Sequence, residues 1–135
     1  MINIALLGYG TVGSGFYEIL NNNKNKIENI VKEKINLKHI LIKDLTKKRE
    51  NLKNKDILTD DFNKILKDPE VDIVVELIGG EKAAYQYIKK SLKNNKIVIT
   101  ANKLLIARHY NQLIALAEDS STGALVFNSD WRQIR

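Results

Sequence analysis

An apolar run, Met1-Ile2-Asn3-Ile4-Ala5-Leu6-Leu7, stops at Gly8-Tyr9-Gly10-Thr11-Val12-Gly13, and a helical period begins at once. This junction limits the possible folds more than any other feature of the chain. A lone G-x-G-x-x-G pattern is weak, but between a strand and a helix it predicts a phosphate-binding turn. Gly8 permits the tight turn, Gly10 lets the backbone approach a diphosphate, and Gly13 lets the helix pack close to the strand. The free N–H groups and positive dipole end of the helix then receive the diphosphate. The plain alternative is a tight strand–helix turn with no ligand.

The rest of the chain repeats the alternation. Val12, Phe16, Ile19 and Leu20 recur at helical spacing. Ile27, Ile30 and Val31 resume that period after an Asn21-Asn22-Asn23 cluster, so the first helix either kinks there or runs on to about residue 34. Strands are expected at 37–42, 57–59, 71–78, 97–100 and 124–127. A short helix at 62–66 is capped by Asp60 or Asp61 and closed by Pro69. Longer helices start near Ala83, ending at Asn94-Asn95, and near Lys103, reaching about residue 119; 120–123 is a turn. Residues 45–55 are polar and lysine-rich without a period, and are expected to form a loop or a frayed helical turn. Strands alternating with helices predict right-handed βαβ units in a parallel sheet. The fold class is therefore α/β: a Rossmann-type doubly wound parallel sheet in a single domain.

At 135 residues the chain fits one such domain. It has no cysteine, which excludes disulfides and thiolate metal sites, and no other residues have metal-ligand spacing. The first apolar run lacks a basic flank and ends in glycines, as a strand does and a signal peptide does not. No apolar stretch reaches the ~18–20 residues of a membrane helix. A cytoplasmic protein without a membrane partner is expected. The net charge of +6 comes mainly from lysines spread over the whole chain. A nucleic-acid site would cluster arginine and aromatic residues on one surface, so no nucleic-acid partner is expected.

Candidate site residues follow from the rule that ligands sit at the carboxyl ends of parallel strands. The second strand ends at Lys43-Asp44. There an acid binds the ribose 2′-hydroxyl of NAD and a base accommodates the 2′-phosphate of NADP. The chain offers one of each, and Lys47, Lys48 and Arg49 tilt the balance towards NADP, with dual use open. Leu77-Ile78-Gly79-Gly80 and Thr100-Ala101-Asn102-Lys103 should border the nicotinamide side. Asn102 is alternatively a helix cap, and Lys103 alternatively a surface charge. An ammonium at that place is suited to orient or polarise a substrate carbonyl, or to move a proton if its pKa is lowered. His39 is expected to be structural or edge-exposed, and His109 carries no signal.

Three stretches resemble the amino-terminal domain of the homoserine dehydrogenase family: residues 4–13, 68–80 and 98–107. The second and third are much more specific than the glycine pattern. The resemblance implies nicotinamide-dependent interconversion of homoserine and aspartate semialdehyde, a step towards threonine, methionine and isoleucine. It implies that Gly8, Gly10, Thr11, Val12 and Gly13 hold the pyrophosphate. Leu77, Gly79, Thr100 and Asn102 then lie near the nicotinamide half, Lys103 matches the family's active-site lysine, and Lys43 stands where the family commonly has arginine.

The likeness ends near Phe127. The family continues through a glutamate-containing, glycine-rich segment into a substrate and dimerisation domain, whereas here the glutamate position falls at Asn128. The family's second catalytic lysine and its acidic partner have no counterpart. The expected organisation is a dinucleotide-binding domain over 1–127 and a divergent or non-native tail over 128–135, a short surface tail being the plain alternative. The chain is expected to be a fragment or a truncated gene product that binds NADP or NAD. It would handle homoserine or aspartate semialdehyde only with the missing domain. Surface that the missing domain would cover favours self-association. The alternative is a stand-alone dinucleotide-binding or regulatory module without catalysis.

Overall fold

Strands and helices alternate in the computed structural model, which describes residues 1–120 and 123–127. Strand β1 (Ile2–Leu7) leads into helices α1 (Thr11–Asn22) and α2 (Lys24–Val31). Strand β2 (Ile35–Leu41) is followed by a 3-10 turn at Lys55–Ile57, β3 (Leu58–Thr59) and α3 (Phe62–Leu66). Then come β4 (Ile73–Glu76), α4 (Lys82–Lys93), β5 (Ile97–Thr100), α5 (Lys103–Asp119) and β6 (Ala124–Phe127). The strands pair in the order β3-β2-β1-β4-β5-β6, every pair parallel. The chain moves outward from β1 in one direction, then returns to β1's other side, which is the doubly wound topology expected from the sequence. Such a sheet binds ligands at the carboxyl ends of its strands, where the winding reverses. Here that point lies between β1 and β4.

Side chains alternate across a strand, and β1 divides its residues accordingly. Ala5 and Leu7 join a core with Val74, Val98 and the buried faces of α3, α4 and α5; Ile4 and Leu6 join one with Tyr17, Leu20, Ile40 and Val75. Burial on both faces is why these strands read as continuous apolar runs. The edge is barer: Val126 of β6 is half exposed.

Local signals account for most boundaries. Asp61 caps α3, its side chain accepting from Asn63 N at 3.0 Å. Asn94 ends α4, and Asn95 follows with φ 61, a left-handed conformation that asparagine tolerates better than most residues. The first helix breaks at Asn23, whose amide donates to Ile19 O at 2.9 Å, so the kinked alternative holds. Strand β4 is shorter than the apolar run: Val71 N bonds back to Asp68 O, and Ile78 N leaves the ladder for the Glu76 side chain. The buried stripe of α1 is Gly13, Tyr17 and Leu20, with Phe16 packed beside it, so half of the predicted face holds: Leu20 and Phe16 turn inward, whereas Val12 and Ile19 are 62% and 64% exposed. Gly13 has to face the turn before it, and that rotates the helix. Ile30 is likewise 71% exposed.

His39 is structural, as expected. It is buried in β2, and its Nε2 meets Asp68 Oδ2 at 2.8 Å; Lys38 Nζ lies 2.7 Å from the same oxygen. Helix α5 is interrupted at His109, where φ −120 and ψ 20 leave the helical region. His109 stacks on Tyr85 with ring centroids 4.0 Å apart, and Glu81 bonds both His109 Nε2 (3.2 Å) and Arg108 Nη1 (2.8 Å). No helix among the described residues is long and apolar enough to cross a membrane. The position of Asn128 and the 128–135 tail lie outside the described residues.

Candidate functional site

The carboxyl ends of β1, β2, β4 and β5 surround one cleft of about 1040 Å³. Gly8, Gly10, Thr11, Val12, Lys43, Asp44, Leu77, Gly79, Asn102 and Lys103 line it, whereas Gly13 and Thr100 stand behind its wall. The glycine turn forms one side. Gly8 has φ +99, and a Cβ on it would lie 2.9 Å from Leu77 O, so both conformation and space require glycine. A Cβ on Gly13 would lie 2.3 Å from Gly8 O, which is the close approach of helix to strand. A Cβ on Gly10 would meet nothing within 4 Å. It would project into space, on the wall where α1 begins and its unpaired N–H groups point. The cleft thus offers room for a diphosphate against backbone.

The end of β2 is built for charge. Lys43, Asp44, Lys47 and Arg49 line the cleft there. Asp44 Oδ1 accepts from Thr46 N (2.9 Å) and Thr46 Oγ1 (2.6 Å). These bonds, with Arg49 and Lys47 nearby, hold the Asp44 carboxyl below its ordinary range. Arg49 Nη1 donates to the carbonyls of Asp44 and Lys47 at 2.9 and 2.8 Å, which curls the loop and fixes the guanidinium. Tyr9, between the first two glycines, reaches this loop: its hydroxyl donates to Asn51 Oδ1 at 2.9 Å, and burial raises its pKa. The unpatterned 45–55 segment is therefore a braced loop, not a frayed helix.

The opposite end of the cleft is formed by the segments after β4 and β5. Gly79 and Gly80 have φ +81 and +75, a conformation that side chains rarely adopt and glycine enters freely. Asn102 does cap α5, its Oδ1 accepting from Leu105 N at 3.2 Å; its Nδ2 also donates to Gly80 O at 2.6 Å. The two readings of Asn102 are thus compatible. Lys103 is the first residue of α5 and lines the cleft beside it. Thr100 is buried, and its Oγ1 donates to Glu76 Oε1 at 2.6 Å. Sequence reasoning passed over Glu76. It lines the cleft floor at 1% exposure, a carboxylate at the end of an apolar strand, and that misplaced charge was the available signal. No cluster of metal-ligating side chains occurs among the described residues.

A doubly wound parallel sheet with a glycine turn opening its first helix, and a cleft at the switch point, defines a dinucleotide-binding domain. The comparisons narrow this. A family model described as "Homoserine dehydrogenase, NAD binding domain" matches residues 8–126, and this chain belongs to that family. It is 40% identical over 119 residues to the homoserine dehydrogenase of Bacillus subtilis, covering 88% of this chain and 28% of that protein. The Lactococcus lactis enzyme is 43% identical over 121 residues, covering 87% of this chain and again 28% of the relative. A crystal structure of the Staphylococcus aureus homoserine dehydrogenase superposes with a TM-score of 0.85 at 45% identity, covering 95% of this chain and 32% of that one. The chain thus spans about 28% of the length of the curated relatives it matches.

Proposed function

We propose that this chain supplies the cofactor half of a homoserine dehydrogenase and that the cleft takes NADP in preference to NAD. The observation that carries this reading is the meeting, in one cleft, of the glycine turn, the 77–80 segment and the 100–103 segment, with open space at Gly10. In this reading Gly8, Gly10, Thr11, Val12 and Gly13 form the diphosphate wall, with Gly13 acting through packing. Leu77, Gly79, Thr100 and Asn102 define the nicotinamide end. The cofactor, when bound, supplies the hydride acceptor for homoserine or the donor for aspartate semialdehyde. Lys103 is the candidate catalytic residue, placed to orient a substrate oxygen.

The preference for NADP is supported by the charges at the end of β2. Lys43, Lys47 and Arg49 line the cleft. Asp44 directs one carboxylate oxygen into its own loop at Thr46, which reduces what it offers a ribose hydroxyl. Calorimetric titration of the 135-residue chain with NADP and NAD tests the reading. Saturable binding, tighter for NADP, is expected; no binding of either would refute it. Because the chain spans only about 28% of its relatives' length, homoserine-dependent NADP reduction by this chain alone is expected to be absent.

A further inference from the structure

Glu76 is the end residue of β4 and pairs in register with Thr100, the end residue of β5. Its carboxylate is 1% exposed, and no cation is paired with it among the described residues. Burying an unpaired carboxylate is costly unless hydrogen bonds replace its water. Here two do: Thr100 Oγ1 donates to Oε1 at 2.6 Å and Ile78 N donates to Oε2 at 2.9 Å. The network continues into the cleft wall. Thr100 Oγ1 accepts from Asn102 N at 3.1 Å, and Asn102 Nδ2 donates to Gly80 O at 2.6 Å. The bonds form a closed ring, from Glu76 through Thr100 and Asn102 to Gly80 and back along the chain through Ile78. Both segments that border one end of the cleft belong to it.

The chemistry of the ring selects glutamate. The Ile78 peptide N–H is a fixed donor and the Thr100 hydroxyl is placed to donate, so a side chain that accepts at both ends fits without rearrangement. A glutamine amide would present N–H₂ to one of them and force the Thr100 hydroxyl to turn its hydrogen elsewhere. Thr100 is likewise matched, since its single hydroxyl must donate to Glu76 while accepting from Asn102 N. A valine of the same shape does neither.

We propose that Glu76 is a positioning residue for the nicotinamide end of the cleft: it acts through Thr100 and the Ile78 amide to set where Gly79, Asn102 and Lys103 stand. This rests on the reading of the cleft as the dinucleotide site. No hydrogen bond of the ring reaches the glycine turn, which touches it only where Gly8 packs against Ile78, so breaking the ring falls mainly on the nicotinamide end. The role is therefore local to one end of an extended ligand.

The test compares NADP with 2′-phospho-ADP-ribose, which lacks the nicotinamide, by calorimetry on the 135-residue chain and its Glu76→Gln, Thr100→Val and Thr100→Ser variants. Glu76→Gln and Thr100→Val should each weaken NADP by about tenfold, the scale of a lost buried hydrogen bond. Binding of 2′-phospho-ADP-ribose should stay within about twofold, and Thr100→Ser should restore NADP binding. Equal losses for both ligands, or no loss for NADP, would overturn the proposal. Should Glu76→Gln fail to fold, the isosteric Thr100→Val carries the same comparison, and Thr100→Ser shows whether the hydroxyl is what matters. If the unaltered chain binds neither ligand, it is the assignment of the cleft that fails, not the role of Glu76 within it.

Discussion

Gly10→Ala and Gly13→Ala add the same methyl group to the same turn and should fail in different ways. At Gly13 the new Cβ would lie 2.3 Å from Gly8 O and 2.9 Å from Gly8 C. An ordinary contact is ~3.5 Å, so the peptide after Gly8 would have to move by about 1 Å. It has little freedom to do so, because Gly8 N is tied to Leu41 O and the space above Gly8 is taken by Leu77 O. Such overpacking costs up to about 3 kcal/mol. Alanine returns about 1 kcal/mol, since Gly13 lies within α1. The net destabilisation is about 2 kcal/mol, a fall of ~1 M in urea midpoint for a slope near 2 kcal/mol per M. At Gly10 the backbone is extended, with φ −79 and ψ −153, and nothing lies within 4 Å. The stability change there should be a few tenths of a kcal/mol, from the poorer N-cap. The methyl would occupy the space assigned to the diphosphate, so NADP affinity should fall tenfold or more, about 1.4 kcal/mol. Urea melts and calorimetric titrations on both variants separate the two effects. Wild-type affinity in Gly10→Ala would refute the placement of the diphosphate, and an unchanged midpoint in Gly13→Ala would refute the packing argument.

Three further outcomes can be checked. Replacing Lys43 and Lys47 together with alanine should weaken NADP binding and flatten its salt dependence while leaving NAD nearly unchanged, measured by titration at two ionic strengths. In a homoserine dehydrogenase extended from this chain, Lys103→Met should abolish turnover with dinucleotide affinity kept within a few-fold, seen by steady-state assay beside fluorescence titration. Burial alone would push the Asp68 carboxyl up, but hydrogen bonds from Lys38, His39 and the Glu70 amide outweigh it and hold the group well below the usual carboxylate range. A depressed folded pKa gives stability that is present above the unfolded value of ~3.9 and lost as pH falls below it. Acid unfolding should therefore begin near pH 4, and Asp68→Asn should flatten that limb of a denaturation series.

The parts of the fold that were legible are those where one local signal decides. Residues 1–7 and 97–100 are short, mainly apolar runs that stop at a glycine or a polar residue, as strands buried on both faces of a parallel sheet do. The face of α1 was only half legible, because Val12 and Ile19, which point outward, satisfy the helical period as well as Phe16 and Leu20 do. What decides is Gly13, whose lack of a side chain fits it to the turn, and Tyr17, whose ring packs inward while its hydroxyl accepts from Lys53 N. In the cleft, backbone roles were visible because glycine and helix starts announce them. The Glu76–Thr100 bond was hidden, because the partners are 24 residues apart and meet only through the register of β4 and β5. The braced 45–55 loop was hidden for the same reason, being held by Tyr9 and Tyr17, whose bonds to it span 42 and 36 residues of chain.

The interruption at His109 makes α5 two rods on one link. The first rod, which carries Lys103, is fastened to the head of α4 at both ends: Asn102 bonds Gly80, and Arg108 and His109 bond Glu81. The second rod packs on the core through Leu113 and leads towards β6. A pull transmitted back from β6 meets the non-helical link before it meets the lysine. The start of the helix, with Lys103 on its first turn, is therefore fastened to the segment after β4 and to the head of α4, ahead of the link at His109.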